Sequence, residues 1–171
     1  MQRSPTVESY LHRIPNEWTV ELGVEPHPQY TAGGSEALID GLPGDADWRT
    51  GGWVGFQHDD LSATIDMGEL REVRRAGASF LQDQRSWIWM PVEVVVSTSV
   101  DGETFKEIGR VATDVAEDAE DSIVRRYVKE LDAPVEARFV KIEAENFGVC
   151  PEWHLGAGGG AYIFVDELLV D

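Results

Sequence analysis

The chain has 171 residues, 42% of them apolar, which suits one domain with a sizeable core, and its formal net charge is −18. A surface this acidic repels phosphate backbones and anionic lipid, which excludes nucleic acid and membranes as partners, and no apolar run approaches the roughly 20 residues of a membrane helix. Cys150 is the only cysteine, so no internal disulfide forms and the redox compartment is left open.

In chain order, Met1 to Tyr10 lacks the apolar core of a secretion signal. Ser4 as a cap and Pro5 at the first helical position predict a short helix over 5–14. Pro15, Pro26 and Pro28 break any regular element, so residues 1–29 read as a linker or a strap on the domain's edge. From Tyr30 onward the pattern is short strands with turn signals between them. Leu61 to Met67 alternates apolar and polar side chains, and Val73 to Leu81 is the next strand. Val92 to Ser99 leads through Asp101-Gly102, a pair suited to the positive φ angles of a tight hairpin, into a strand ending near Gly109. The acidic run Asp114 to Asp121 is a solvated loop. Strands follow over Ile123 to Leu131, Arg138 to Ala144 and Ala161 to Val170, with Ala133-Pro134 between the first two. Many short strands, with no βαβ alternation and no solenoid repeat, point to an all-β sandwich or jelly roll.

Two stretches carry candidate binding chemistry. Asp40, Asp45 and Asp47 lie in a Gly-rich loop with many free carbonyls, the hard oxygens that calcium needs; alternatively, Asp40-Gly41 is an Asx turn and the other two are solvated. Trp48, Trp53, Phe56, Trp87 and Trp153 fall in or beside loops, with His58, Gln82, Arg85, Asn146 and His154 nearby in sequence. A sugar ring stacks its C–H face on an aromatic and asks polar side chains for hydrogen bonds, so the mixture suits a shallow glycan site; tryptophan also serves as core, and Trp89 is read that way. Gly156 to Gly160 lacks the lysine and the following helix of a phosphate cradle. No Gly-x-Ser-x-Gly elbow or His-Glu-x-x-His helix is present, and the four histidines are scattered, so nothing points to catalysis.

The order of Asp-Gly … Trp48, Asp-Met-Gly68, Ser-Thr-Ser-Val-Asp-Gly-Glu-Thr-Phe105, Ala-Arg-Phe-Val-Lys-Ile142 and the closing Asp-Glu-Leu-Leu-Val resembles the coagulation-factor C-type, or discoidin, domain over residues 30–171. That superfamily includes the family-32 carbohydrate-binding modules. Tyr30-Thr-Ala-Gly-Gly34, Phe80-Leu-Gln-Asp83, Trp87-Ile-Trp-Met-Pro91 and Cys150-Pro-Glu-Trp-His154 resemble modules appended to bacterial β-N-acetylhexosaminidases of the chitobiase type. The resemblance implies an eight-stranded jelly roll, like a galactose-binding domain, with ligands held in loops at one end. It implies Arg85, Trp87, Asn146 and His154 as ligand residues, with Trp53 beside them. It also implies a structural Ca2+ held by Asp40 and Asp45 and completed by Glu167 on the last strand, although Leu-Pro-Gly stands where many relatives carry Asn or Asp and a Thr. The expectation is an accessory module that holds a larger secreted or periplasmic glycoside hydrolase on glycan. The alternative is a structural domain that packs on the catalytic domain and binds no sugar. The acidity suits either a high-salt habitat, where screening relieves self-repulsion, or an ordinary acidic secreted domain.

Overall fold

A computed structural model of the chain describes residues 17–171; the helix expected over 5–14 lies outside them. Among the described residues seven strands, all paired antiparallel, make the fold: β1 (Thr19–Leu22), β2 (Val54–Gln57), β3 (Leu61–Gln82), β4 (Glu93–Ser99), β5 (Lys106–Ala112), β6 (Ile123–Ala144) and β7 (Tyr162–Val170). They run in the order β2-β7-β3-β6-β4-β5, with β1 added on β3. β1 lies within the stretch read as a strap, and Gly23 and His27 continue its attachment through N–H donations to the carbonyls of Ser62 and Gly55.

β3 and β6 build both layers of the sandwich. Their one half (Leu61 to Asp66 against Phe139 to Ala144) carries β1 and β4, and the other half (Arg71 to Gln82 against Ile123 to Ala137) carries β7 and, beyond it, β2. The sequence divides each of these strands in two because the register slips between Asp66 and Arg71 and again between Val73 and Arg75. At the first slip Gly68 takes φ 79° and donates its N–H to Asp66 Oδ1, while Arg138 clamps both oxygens of Asp66 at 2.9 and 3.0 Å. Pro134 falls opposite the second slip, where a strand tolerates a residue with no N–H.

The core forms where the layers face each other. Ala63, Ile65 and Met67 from one half of β3 pack with Ala76, Ala78 and Phe80 from the other, together with Val94, Val96, Val140, Ile142, Ile163 and Val165. Each buried Ile, Phe or Val contributes about 1.5–3 kcal/mol over its exposed state. The outer face of β7 is also covered: Trp53, Leu81, Ile88 and Phe164 form a second cluster beneath Tyr30, Trp48 and Tyr162. Trp89, 1% exposed, is core as the sequence implies, packed with Cys150 and Ala161.

The β4–β5 hairpin differs in one detail from its sequence reading. Only Gly102 is left-handed (φ 80°); Asp101 instead uses its carboxylate, whose Oδ1 accepts from the N–H groups of Glu103 and Thr104 and from Ser99 Oγ. Six residues separate the two strands, so the connection is a capped loop in place of a two-residue primed turn.

Candidate functional site

The four connections 57–60, 83–92, 113–122 and 145–161 meet at one end of the molecule. His58 Nδ1 lies 2.9 Å from the Gly148 carbonyl, and Trp89 Nε1 donates to the Glu117 carbonyl at 2.9 Å. Arg85 pairs with Glu120 at 3.1 Å, and His154 Nε2 reaches the Gln84 carbonyl at 2.6 Å. This is the end at which the resemblance places ligand.

Trp87 is held there in an unusual way. It closes the short 3-10 turn Gln84–Ser86 in the left-handed region (φ 68°), which a bulky side chain rarely adopts. Its indole rests against the glycine run: a Cβ on Gly156 would stand 2.4 Å from Trp87 Cε2, and one on Gly159 2.6 Å from Cζ3. The run is therefore a seat cut to the ring. Trp87 is half-buried and Trp153 is 51% exposed, and both rings sit edge-on to His154 at 6.4 and 5.8 Å. His58, also left-handed (φ 67°), is exposed on the same end and held to the Gly148 carbonyl. Backbone strain of this kind gathers at binding sites, where the surroundings over-determine it.

The other expected ligand residues are placed differently. Asn146 is 6% exposed and spends its side chain on the fold: Nδ2 donates to the carbonyls of Asp59, Ala161 and Phe56, and Oδ1 accepts from Gly148 N–H. His154, 8% exposed, accepts from Gly156 N–H at Nδ1, which puts its ring proton on Nε2 for the Gln84 carbonyl. Trp53 is 3% exposed and donates its N–H to the Asp45 carbonyl at 2.9 Å. These three residues shape the loops and present no polar atom outward. Arg85 is exposed at the same end as Trp87, with its charge shared with Glu120. Trp153, outside the expected set, is the more exposed ring, and the flanking Glu152 and Leu155, both exposed, are the signal that marks it.

A second site lies under the loop 40–53. The register between β3 and β7 shifts between Ser79 and Phe80, so Ser79 pairs with Glu167, Phe80 pairs with Val165, and Asp166 is the extra residue of a bulge. The bulge turns two consecutive carboxylates toward the loop. Asp166, 1% exposed, accepts Gly44 N–H at 2.7 Å. Glu167, 7% exposed, is pushed up to about 8 by burial, then by contact with Asp40 and by the charges of Asp40 and Asp166. Burial raises Asp166 as well, against the bonds it receives from Gly44 and Ser79.

Of the three residues expected to hold a metal, Asp40 contacts Glu167 and lines one hollow with Asp45, whose side chain is turned to the loop itself. Its Oδ1 accepts from Asp47 N–H and its carbonyl from Trp53, and among the described residues no three His, Cys, Asp or Glu side chains gather for a metal. Asp40 also makes the Asx turn weighed against metal binding, accepting Leu42 N–H at 2.8 Å. Two oxygens are left without a partner, Glu167 Oε1 and Asp166 Oδ1, both buried. These oxygens lie under a Gly-rich loop whose Asp40 and Asp45 line an open hollow of about 280 Å³, a supply of hard oxygens that fits a cation, with backbone carbonyls as further ligands.

The fold and these two sites meet in one family. Residues 18–162 match the F5/8 type C domain, and the chain belongs to that family. The match begins twelve residues ahead of Tyr30, so it takes in β1. Solved structures with this fold include the family-32 carbohydrate-binding module of NanJ from Clostridium perfringens in complex with galactose (15% identity, 90% of this chain and 92% of that one, TM-score 0.52). A module of the C. perfringens enzyme CpGH89, in complex with GalNAc-β-1,3-galactose, is similar (18%, 90% and 94%, 0.51). So is the family-32 module of AlyQ, in complex with 4,5-unsaturated mannuronic acid (11%, 90% and 93%, 0.56). At these identities the likeness establishes the fold. Comparison with curated protein sequences returns no match.

Proposed function

We propose that the chain is a non-catalytic carbohydrate-binding module that holds glycan at the end formed by Trp87 and Trp153. The observation that carries this reading is the pair of indoles themselves: one held in a glycine seat, the other half-exposed, both edge-on to a buried histidine. An aromatic platform with a few polar groups, here Arg85 and His58, is the chemistry that receives a sugar ring. Neighbours of the same fold that hold galactose and GalNAc-β-1,3-galactose support it. The parent polypeptide is a glycoside hydrolase of the β-N-acetylhexosaminidase type working outside the cell, a reading that rests on the sequence resemblance. Linkage to the module raises the enzyme's effective substrate concentration to the order of millimolar. Asp40 and Glu167 hold a calcium ion that stiffens the loop 40–53 and takes no part in chemistry.

The test is tryptophan fluorescence during titration with galactose, N-acetylglucosamine and chitin fragments, calcium present. A saturable change below about 10 mM that Trp153→Ala abolishes supports the reading. A second reading, docking on a neighbouring domain, is favoured by Val149 and Leu155, apolar and exposed on the loop that carries Trp153. It predicts no sugar response, with emission changing on addition of the parent enzyme's catalytic domain.

A further inference from the structure

The four connections that meet at the Trp87–Trp153 end contain ten Asp and Glu residues and a single Arg or Lys, Arg85. That arginine is already paired with Glu120. Asp59, Glu117, Asp118, Asp121 and Glu152 are exposed, and they come from three connections tied to one another through His58–Gly148, Trp89–Glu117 and His154–Gln84. The site proposed above therefore lies among loops that expose several carboxylates and one arginine, itself already paired. Such a surface repels a uronate or sialate carboxylate and attracts a cation. An indole face adds its own attraction for ammonium, and the exposed Trp153 supplies one.

We infer that the glycan this end prefers carries free amino groups: a glucosamine-type oligosaccharide with protonated amines, taken in preference to its N-acetylated counterpart and against any uronic acid. Stacking on Trp153 and Trp87 supplies the contact common to all three sugars, and the exposed carboxylates of the same loops supply the discrimination. The preference contrasts with the neighbour that holds an unsaturated mannuronic acid. This inference rests on the sugar-binding reading of the same site.

The experiment titrates the whole chain with three oligosaccharides of equal length, one of glucosamine, one of N-acetylglucosamine and one of a uronic acid. It is run at about pH 6, where the amines are charged, with calcium fixed and tryptophan emission as the readout. At about 20 mM salt the amino sugar is expected to saturate at a roughly five- to tenfold lower concentration than the N-acetylated one, and that advantage shrinks at least threefold near 0.5 M as screening sets in. Glu117→Gln with Glu152→Gln, both exposed, reduces the amino-sugar preference and leaves N-acetylglucosamine affinity unchanged. Equal binding of the amino and N-acetylated sugars, or tightest binding of the uronate, overturns the inference and leaves the sugar-binding reading intact. If none of the three sugars moves the emission, that reading falls and this one with it.

Discussion

Gly156 lies under the indole of Trp87 with no room for a side chain, since a methyl group there would stand 2.4 Å from Cε2. The ring therefore owes its left-handed perch to a residue about seventy positions away, and the loop 145–161 and the turn 84–86 hold each other in place.

Gly156→Ala forces one of them to give. Overpacking of this kind costs about 1–3 kcal/mol, so urea unfolding is expected to show a lower midpoint. Glycan affinity drops with it, because the platform shifts. An unchanged midpoint and affinity would mean that the indole is free to move aside.

Trp153→Ala should behave in the opposite manner. Its ring is half-exposed, so the unfolding midpoint stays within about 0.5 kcal/mol of the parent. Sugar affinity falls about tenfold or more, as expected for an aromatic anchor. Isothermal titration beside a denaturation curve separates the two effects. Equal loss of stability and affinity would place Trp153 in the packing instead of the site.

Glu167 sets a pH dependence that calcium should erase. Its folded pKa, about 8, lies above the ordinary carboxylate value, so the folded state binds the extra proton. In EDTA, stability is full below the unfolded pKa near 4.5 and falls as pH rises toward 8, by on the order of 2–4 kcal/mol. Saturating calcium favours the ionised carboxylate and flattens the profile at its upper end, and Glu167→Gln flattens it in EDTA. Melting curves at half-unit pH steps, with and without the metal, read this directly. A melting temperature that is level from pH 5 to 8 in EDTA would contradict it.

Salt should stabilise the chain. With a net charge of −18 and few close counter-charges, the folded state repels itself more than the expanded one does. The melting temperature is expected to rise by several degrees between about 0.05 and 1 M sodium chloride, most of it in the first few tenths molar where the Debye length falls fastest. A flat response would argue that the surface carboxylates are spaced too widely to matter.

The sheet was legible because its signals are local. Alternation in Leu61 to Met67, the β-rich Val94 to Val96 and the apolar run of β7 each announce a strand, and their order carries the sandwich. Continuity across bends was not legible, since Gly68 and Pro134 look like breaks and the bulges that absorb them depend on the partner strand. At the candidate site, residue type told what each side chain is able to bind and not what it already binds. Asn146 and His154 have the donors and acceptors of ligand residues, and the fold had taken all of them for backbone groups 15 to 90 positions away, together with near neighbours. Trp53 and Trp153 both stand near glycines in loop sequence, and only the fold decides that the first is buried with its N–H on the Asp45 carbonyl and the second is half-exposed.

The bulge at Asp166 also bears on the order in which the molecule comes together. Gly44 is spoken for by a carboxylate 122 residues later in the chain, on a strand that lies between β2 and β3. As the polypeptide leaves the ribosome, β3, β4, β5 and β6 are able to pair while the loop 40–53 still has nothing to hang from. That loop, the short β2 and the cover over Phe164 all wait for β7 to thread into its central place. Pairing across so great a separation is slow, so the loop 40–53 is the last part of the domain to be assembled, and a nascent chain stalled before β7 exposes Trp53 and Trp48 in the meantime.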